Sequence, residues 1–220
     1  MAVDTHTLLE RIAGLRGRHD RRVVVGIAGA PGAGKTFLVA EVLAAAASRA
    51  DLAGRVAHVP MDGFHLTNAE LERLGRRDRK GAPDTFDAHA YAGVLAAVRD
   101  PSRRVVTAPS FDHAVGEPVP DDIVVPSEVD VVLTEGNYLL LDEGDWADVR
   151  SLLDEVWFCA LDDSLRQERL VQRHVAAGRE PDDARAWVEN SDEANARRVV
   201  PTAPGADVVL VDGHVVALGD

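Results

Sequence analysis

Two periods of hydrophobicity take turns along this chain. Short valine-rich runs recur at 22–28, 55–60, 129–134, 155–161 and 206–211. Apolar character sustained over so few residues predicts strands covered on both faces. Between these runs, apolar residues return every three or four positions, as at Leu8, Leu9, Ile12 and Leu15, or at Tyr91, Leu95 and Val98. That spacing predicts helices over 5–16 and 88–99, and the Ala-rich 37–49, with Leu38, Val42 and Leu43, predicts a third. A fourth helix is predicted over 162–177, and shorter ones over 66–74, 146–153 and 182–190. Asp87 and Asp162 stand at N-cap positions, while Asp4 competes with a Thr7/Glu10 capping box at the first helix. The run 104–109 reads as a further strand, and 110–126, with Pro118, Pro120 and Pro126, as an extended ribbon outside the core. The run 206–211 reads as the last strand, with Asp212-Gly213 as a turn after it. Strand and helix in alternation predict an α/β fold, a parallel sheet with helices on both faces. No repeat or linker interrupts it, so the expectation is one domain over 1–220.

Charge narrows the partners. The chain carries 24 Lys and Arg against 37 Asp and Glu, a formal net charge of -13. A broad nucleic-acid surface needs a basic footprint, so none is expected, and any anion site must be local. Arg16, Arg18, Arg21 and Arg22 could contact phosphate, but they precede the first strand and so lie at its far end from the loop that follows it. They read as a solvated surface run. The single cysteine, Cys159, sits in an apolar run and reads as a small buried hydrophobe, without disulfide or zinc spacing. With no secretory leader or membrane-length apolar stretch, the expected location is cytoplasmic and no membrane partner is expected.

The chemistry concentrates at strand ends. Gly29-Ala30-Pro31-Gly32-Ala33-Gly34-Lys35-Thr36 fits G-x-x-x-x-G-K-[ST] between a predicted strand and a predicted helix. Backbone N–H groups there form a nest for phosphate, Lys35 would reach the β/γ-phosphates, and the Thr36 hydroxyl would hold Mg²⁺. The second strand runs into Met61-Asp62-Gly63-Phe64-His65, which puts Asp62 beyond a carboxyl end, where ligands bind in open α/β sheets. The apolar run ending in Glu135-Gly136-Asn137-Tyr138 resembles a Walker B strand with Glu as its acid, a metal-side carboxylate. Arg166, Arg169 and Arg173 share one helix face, and Asp162 and Asp163 offer a local offset. Phosphate contact is the favoured reading, because that helix leaves a strand end on the ligand side, and Gly178-Arg179 would continue a lid over about 166–190. The basic loop 76–83 could equally close over phosphates or be solvated.

In this order, GAPGAGKT at 29–36, MDGFH at 61–65, KGAPDTFD at 80–87, PSFDH at 109–113 and LTEGNYLL at 133–140 resemble the phosphoribulokinase/uridine kinase family of P-loop kinases, which is related to the bacterial pantothenate kinases. The likeness runs from Val23 to about Val211 and is nearest to a bacterial branch of nucleoside/nucleotide kinases or fructose-transport-system kinases. It implies a five-stranded parallel core in order 2-3-1-4-5. It makes Asp62 the general base, Asp84 an acceptor ligand and Glu135 a neighbour of the metal. Arg169 and Arg173 become lid cations, with Arg166 and Arg179 beside them near substrate. His65 and Phe111 fall at the acceptor, at positions where uridine kinases usually carry tyrosines. The hydroxyl missing at Phe111 weakens a uridine reading, since reading a base needs placed hydrogen bonds.

The function expected is therefore an ATP- and Mg²⁺-dependent kinase acting on a hydroxyl of a nucleoside, sugar or pantothenate-like small molecule, with a homodimer left open. Two alternatives stand beside it. A nucleotide-dependent regulator or ATPase would show Asn-Lys-x-Asp or Leu-Ser-Gly-Gly, and neither occurs. A nucleoside monophosphate kinase would need cations where this chain offers Asp62 and Asp84.

Overall fold

The computed structural model describes residues 3–218. Among them the chain runs α1 (Thr5–Arg16), β1 (Val23–Ala28), α2 (Lys35–Ala47), β2 (Val56–His58), α3 (Asn68–Arg73), α4 (Ala88–Arg99), β3 (Val106–Asp112), β4 (Glu117–Val125), β5 (Val131–Gly136), β6 (Glu155–Ala160), α5 (Asp163–Ala176), α6 (Pro181–Trp187), α7 (Glu193–Val199), β7 (Val208–Val211) and β8 (His214–Leu218). The caps chosen are Asp4, Asp87 and Asp162, each accepting from a backbone N–H of its helix's first turn.

The central sheet has the order β2-β5-β1-β6-β7-β8. Its first five strands are mutually parallel. Counted among themselves in chain order, they lie 2-3-1-4-5, as the family resemblance implied. The sixth was not expected. β8 returns antiparallel to β7, so the run at 206–211 is not the last strand. Asp212 and Gly213 both take positive φ, 51° and 83°, which is the backbone a two-residue hairpin turn requires.

Strands β1 and β5 bury every residue. Val23, Val25 and Ile27 point to the face covered by Leu8, Ile12, Leu38 and Val42 of α1 and α2. Val24 and Ala28 point to the other, where Tyr91, Leu95 and Val98 of α4 pack. The period of two in the strands meets the period of 3.6 in the helices on both sides.

The run at 104–109 does not enter this sheet. It belongs to β3, which pairs antiparallel with β4 in a separate two-stranded ribbon. Pro109, Pro118 and Pro120 lie within its strands. Proline gives no N–H to a ladder, and a two-stranded ribbon has edges where none is needed. Residues 146–153 do not form a helix but two short 3-10 turns, Gly144–Trp146 and Val149–Leu152. The residues that these two turns bury, Trp146 and Val149, stand three apart, which suits a 3-10 path. The helix predicted over 182–190 leaves α-geometry at Trp187, passes through a π-turn over Val188–Asp192 and continues as α7.

Two aspartates clamp strand starts. Asp154, just before β6, accepts the Val24 N–H at 2.8 Å and a fork from Arg21 at 2.6 and 2.9 Å, with Arg99 at 3.2 Å. Asp207, before β7, accepts the Val156 N–H at 2.7 Å and Arg150 at 3.0 Å. Burial alone would raise the Asp154 pKa, but the Arg21 and Val24 donors and the Arg99 charge hold it below its ordinary 3.8. A carboxylate so depressed stabilises the fold above its unfolded pKa and loses that contribution as pH falls through the folded value. Asp154→Ala should therefore cost about 3 kcal/mol at pH 7, because two guanidinium groups and a strand N–H lose their shared acceptor. Urea midpoints at pH 7 and below pH 3 check this, and the gap between variant and wild type should narrow at the lower pH.

Candidate active site

The loop from Gly29 to Gly34 leaves β1 and delivers the chain into α2. Gly32 and Gly34 have φ of 80° and 92°, values that side chains other than glycine rarely adopt. A Cβ on Gly32 would also stand 2.8 Å from Leu170 and 3.0 Å from the Arg166 carbonyl oxygen, so α5 packs directly behind the loop. Lys35 is 9% exposed. Its Nζ donates to Gly29 O at 2.9 Å, Ala30 O at 3.1 Å and Asn137 Oδ1 at 2.7 Å. Burial pulls its pKa down, and the negative charges of Glu135 and Asp62 pull it back up.

Both carboxylates open onto this lysine. Asp62 lies in the 3-10 turn Met61–Phe64 after β2, and Glu135 near the carboxyl end of β5, in register with Ile27 of β1. Gly63 makes the turn possible, since a Cβ there would overlap the Pro109 carbonyl of the ribbon. Glu135 is 8% exposed, and burial raises its pKa while Lys35 and the Thr36 hydroxyl oppose that. The Asp62 carboxylate has no cation partner among the described residues. No cluster of three His, Cys, Asp or Glu side chains that could hold a metal occurs among the described residues. A hydroxyl at Thr36 and a carboxylate at Glu135 are instead the sparse oxygen set that suits Mg²⁺ when phosphates supply further ligands.

On the far side of Asp62, the His65 ring stands 3.9 Å from that of Phe86 and 4.7 Å from that of Phe111. His65 Nδ1 lies 2.9 Å from the Asp62 carbonyl oxygen. The Lys80 ammonium sits 5.3 Å over the Phe111 ring and donates to Asn68 Oδ1 and Gly116 O. The His65 and Phe111 rings thus lie together beside the turn that carries Asp62. The Asp84 side chain is held by arginines instead. Its carboxylate pairs with Arg79 at 2.7 Å and Arg76 at 3.4 Å and is exposed. Arg76 and Arg79 of the basic loop therefore go to the acid that follows it, and Lys80 to the ribbon's turn and to Asn68, an outcome the sequence left open.

The four arginines of the expected lid divide in two. Arg169 and Arg173 have no carboxylate partner among the described residues, and the Arg173 charge reaches Lys35. Arg166 and Arg179 depart from the expectation. Arg166 is 2% exposed, pairs with Glu193 at 2.6 Å and Asp163 at 3.0 Å, and donates to Pro31 O at 3.3 Å. It braces the phosphate loop from behind and offers no free face to substrate. The Arg179 guanidinium stacks on Trp187 at 4.2 Å. Tertiary partners claim these two charges, and helical spacing alone could not separate them from their neighbours.

Three residues here escaped the sequence reading. Asn137 holds Lys35, and its only signal was its place two residues after Glu135. Glu193 neutralises Arg166 from α7, a helix the periodicity did not reveal. His58 ends β2 with its Nε2 4.0 Å from Glu135 Oε1 and no hydrogen-bond partner among the described residues. Burial pulls it down to about 4 despite Asp62, so it is neutral at pH 7. Cys159 is buried, as expected, and its thiol is pushed up to about 12.

The arrangement brings a phosphate-binding nest, a lysine, two carboxylates and two unpaired arginines to one end of a parallel sheet. The phosphoribulokinase/uridine kinase family model matches residues 24–218. A protein of Schizosaccharomyces pombe named as a candidate uridine kinase is 35% identical over 199 residues, 88% of this chain and 84% of that one. The crystal structure of a candidate fructose transport system kinase from Silicibacter sp. TM1040 superposes with a TM-score of 0.83 at 33% identity, covering 95% of this chain and all of that one. Pantothenate kinase from Leifsonia xyli subsp. xyli is 39% identical over 121 residues, but these are 55% of this chain and 37% of that protein. Among the described residues no helix is long and apolar enough to cross a membrane. The chain belongs to the phosphoribulokinase/uridine kinase family and is a phosphotransferase of the P-loop kinase fold.

Proposed function

We propose that this protein transfers the γ-phosphoryl group of ATP to a hydroxyl of a nucleoside, sugar or pantothenate-like acceptor. The observation that carries this reading is Asp62, a carboxylate without a cation partner among the described residues that shares the mouth of the phosphate loop with Lys35 and Glu135. Phosphoryl transfer asks a protein mainly for position and for charge compensation. The loop's N–H groups would cradle the phosphates. Lys35 would exchange the Gly29 and Ala30 carbonyls for the β/γ-phosphate oxygens while Asn137 retains it. Thr36 and Glu135 would hold Mg²⁺, which when bound offsets phosphate charge. Asp62 would orient the acceptor hydroxyl and take its proton. The acceptor oxygen then bonds to the γ-phosphorus as the bond from that phosphorus to the β,γ-bridging oxygen breaks, and ADP leaves.

The described chain is taken as one kinase domain of the expected span 1–220, whose first and last two residues lie outside the described ones. Its lid, in the region 166–190, would act through Arg169 and Arg173, because Arg166 is fixed to the loop it braces. The acceptor would lie against His65 and Phe111. Relatives are named for uridine, a fructose transport system and pantothenate, and these names single out no one acceptor. A nucleoside monophosphate kinase would have to bring a phosphate up to Asp62, and like charge disfavours that. A coupled ADP-release assay over nucleosides, sugars and pantothenate tests the reading. It fails if none of these classes is phosphorylated.

With an acceptor found, Asp62→Asn should leave ATP affinity nearly intact and slow turnover by about 10²–10⁴, since the amide keeps the shape but is a far poorer base. Collapse of ATP affinity with kcat preserved would make Asp62 a nucleotide-side ligand instead. Lys35→Ala should abolish turnover while circular dichroism reports a folded chain, and undiminished turnover would rule the ATP site out. Arg169→Ala and Arg173→Ala should lower kcat more than they raise KM for ATP, because lid cations meet the charge mainly on closure. An effect on KM alone in steady-state kinetics would mean uniform binding.

A further inference from the structure

At the opposite end of the sheet, six arginines surround a cavity of about 650 Å³: Arg16, Arg21, Arg22, Arg55, Arg103 and Arg104. Arg22 immediately precedes β1 and Arg55 precedes β2, so the cavity lies at the amino ends of the strands, whereas the phosphate loop leaves the carboxyl end of β1. The six residues of β1 set the two apart by about 20 Å. Only three acids line the cavity, Asp20, Asp100 and Asp130, in a chain whose net charge is -13.

Arg16, Arg21, Arg22 and Arg55 are held in place, and the cluster as a whole is incompletely neutralised. Arg22 donates to the carbonyls of Arg103 at 2.7 Å, Arg104 at 2.6 Å, Pro126 at 3.1 Å and Val129 at 3.1 Å. Carbonyls satisfy its N–H groups and locate it, but they carry no compensating charge. Arg16 and Arg55 share one carboxylate, Asp130, at 2.8 and 3.2 Å. Arg21 shares Asp154 with Arg99. Arg103 approaches Asp100 only to 3.9 Å and is largely exposed, and Arg104 has no polar side-chain partner among the described residues. Exposed Glu128 stands at the rim near Arg104 and Arg55.

A solvated arginine run would spread its charges along one segment. Here three separate segments, around 16–22, 55 and 103–104, converge on one concavity. We propose that this cavity is a second anion site, remote from the phosphate loop, that takes a small phosphorylated molecule. Guanidinium forks match phosphate oxygens in pairs, and pre-positioned cations lose little freedom on binding. The volume lies in the range of small-molecule sites. The chain's overall acidity disfavours a long nucleic acid, which would extend beyond the cavity onto negative surface.

Inorganic pyrophosphate, titrated into the full chain and followed by amide NMR, tests this. Two sets of resonances should move: one from the phosphate loop, the other from residues around 19–22, 101–104 and 129–130. The double variant Arg103→Ala/Arg104→Ala should weaken the second response at least tenfold and leave the first unchanged, and Arg103→Lys/Arg104→Lys should restore part of it. The proposal is overturned if only the phosphate-loop resonances move. It is equally overturned if the second set responds undiminished in the double alanine variant, or if it responds to a duplex oligonucleotide but not to pyrophosphate.

Discussion

A buried ammonium group in the field of two carboxylates is the constraint around which this end of the molecule is arranged. Lys35 is nearly sealed from water, and a charge so placed is costly unless hydrogen bonds and opposite charges surround it. The carbonyls of Gly29 and Ala30 and the amide oxygen of Asn137 take its three protons, and Glu135 and Asp62 supply the field. These groups come from three strand ends. Gly29 and Ala30 follow β1, Glu135 and Asn137 sit at the end of β5, and Asp62 follows β2. Three adjacent strands in the order β2-β5-β1 are therefore what brings the charges together.

The phosphate loop needs support from behind as well as ligands in front. Gly32 packs against Leu170 and Arg166 of α5, and Arg166 in turn is held by Glu193 of α7. A guanidinium that donates to Pro31 O while paired with two acids ties the loop to the helices that also carry Arg169 and Arg173. The unpaired arginines are thus mounted on an element whose base is anchored and whose next turns are more exposed. Beyond them, His174 Nε2 meets Asp192 at 2.8 Å, joining α5 to the π-turn that follows α6.

The ribbon plays the same part beside Asp62. Its ladder is irregular and proline-bearing, yet Val106, Ala108 and Val125 bury into the core, and its tip carries Phe111 to His65. Gly63 lets the turn bearing Asp62 approach the ribbon's backbone, and Gly136 lets Met61 pack against the end of β5. The acidic turn is therefore confined between ribbon and sheet, with its carboxylate uncommitted and its backbone fixed.

Much of this was legible along the chain, for physical reasons. The central strands are covered on both faces, so their apolar runs are continuous, and the five parallel strands could be recognised from them. α4 begins and ends where its periodicity and its Asp87 cap place it. The phosphate loop, Asp62 and Glu135 were readable because their chemistry depends on short local spacing and on a position just past a strand. What tertiary structure alone decided concerns partners distant in sequence. Whether an arginine of the expected lid is free or pinned depends on Glu193, 27 residues downstream of Arg166, and on Trp187, about two turns downstream of Arg179, both in weakly patterned segments. Asp84 is drawn to Arg76 and Arg79 by proximity that the motif containing it does not reveal. Arginines 81 and 82 residues from Arg22 contribute the carbonyls that fix it. A single sequence displays the charges, but only packing determines which of them find partners.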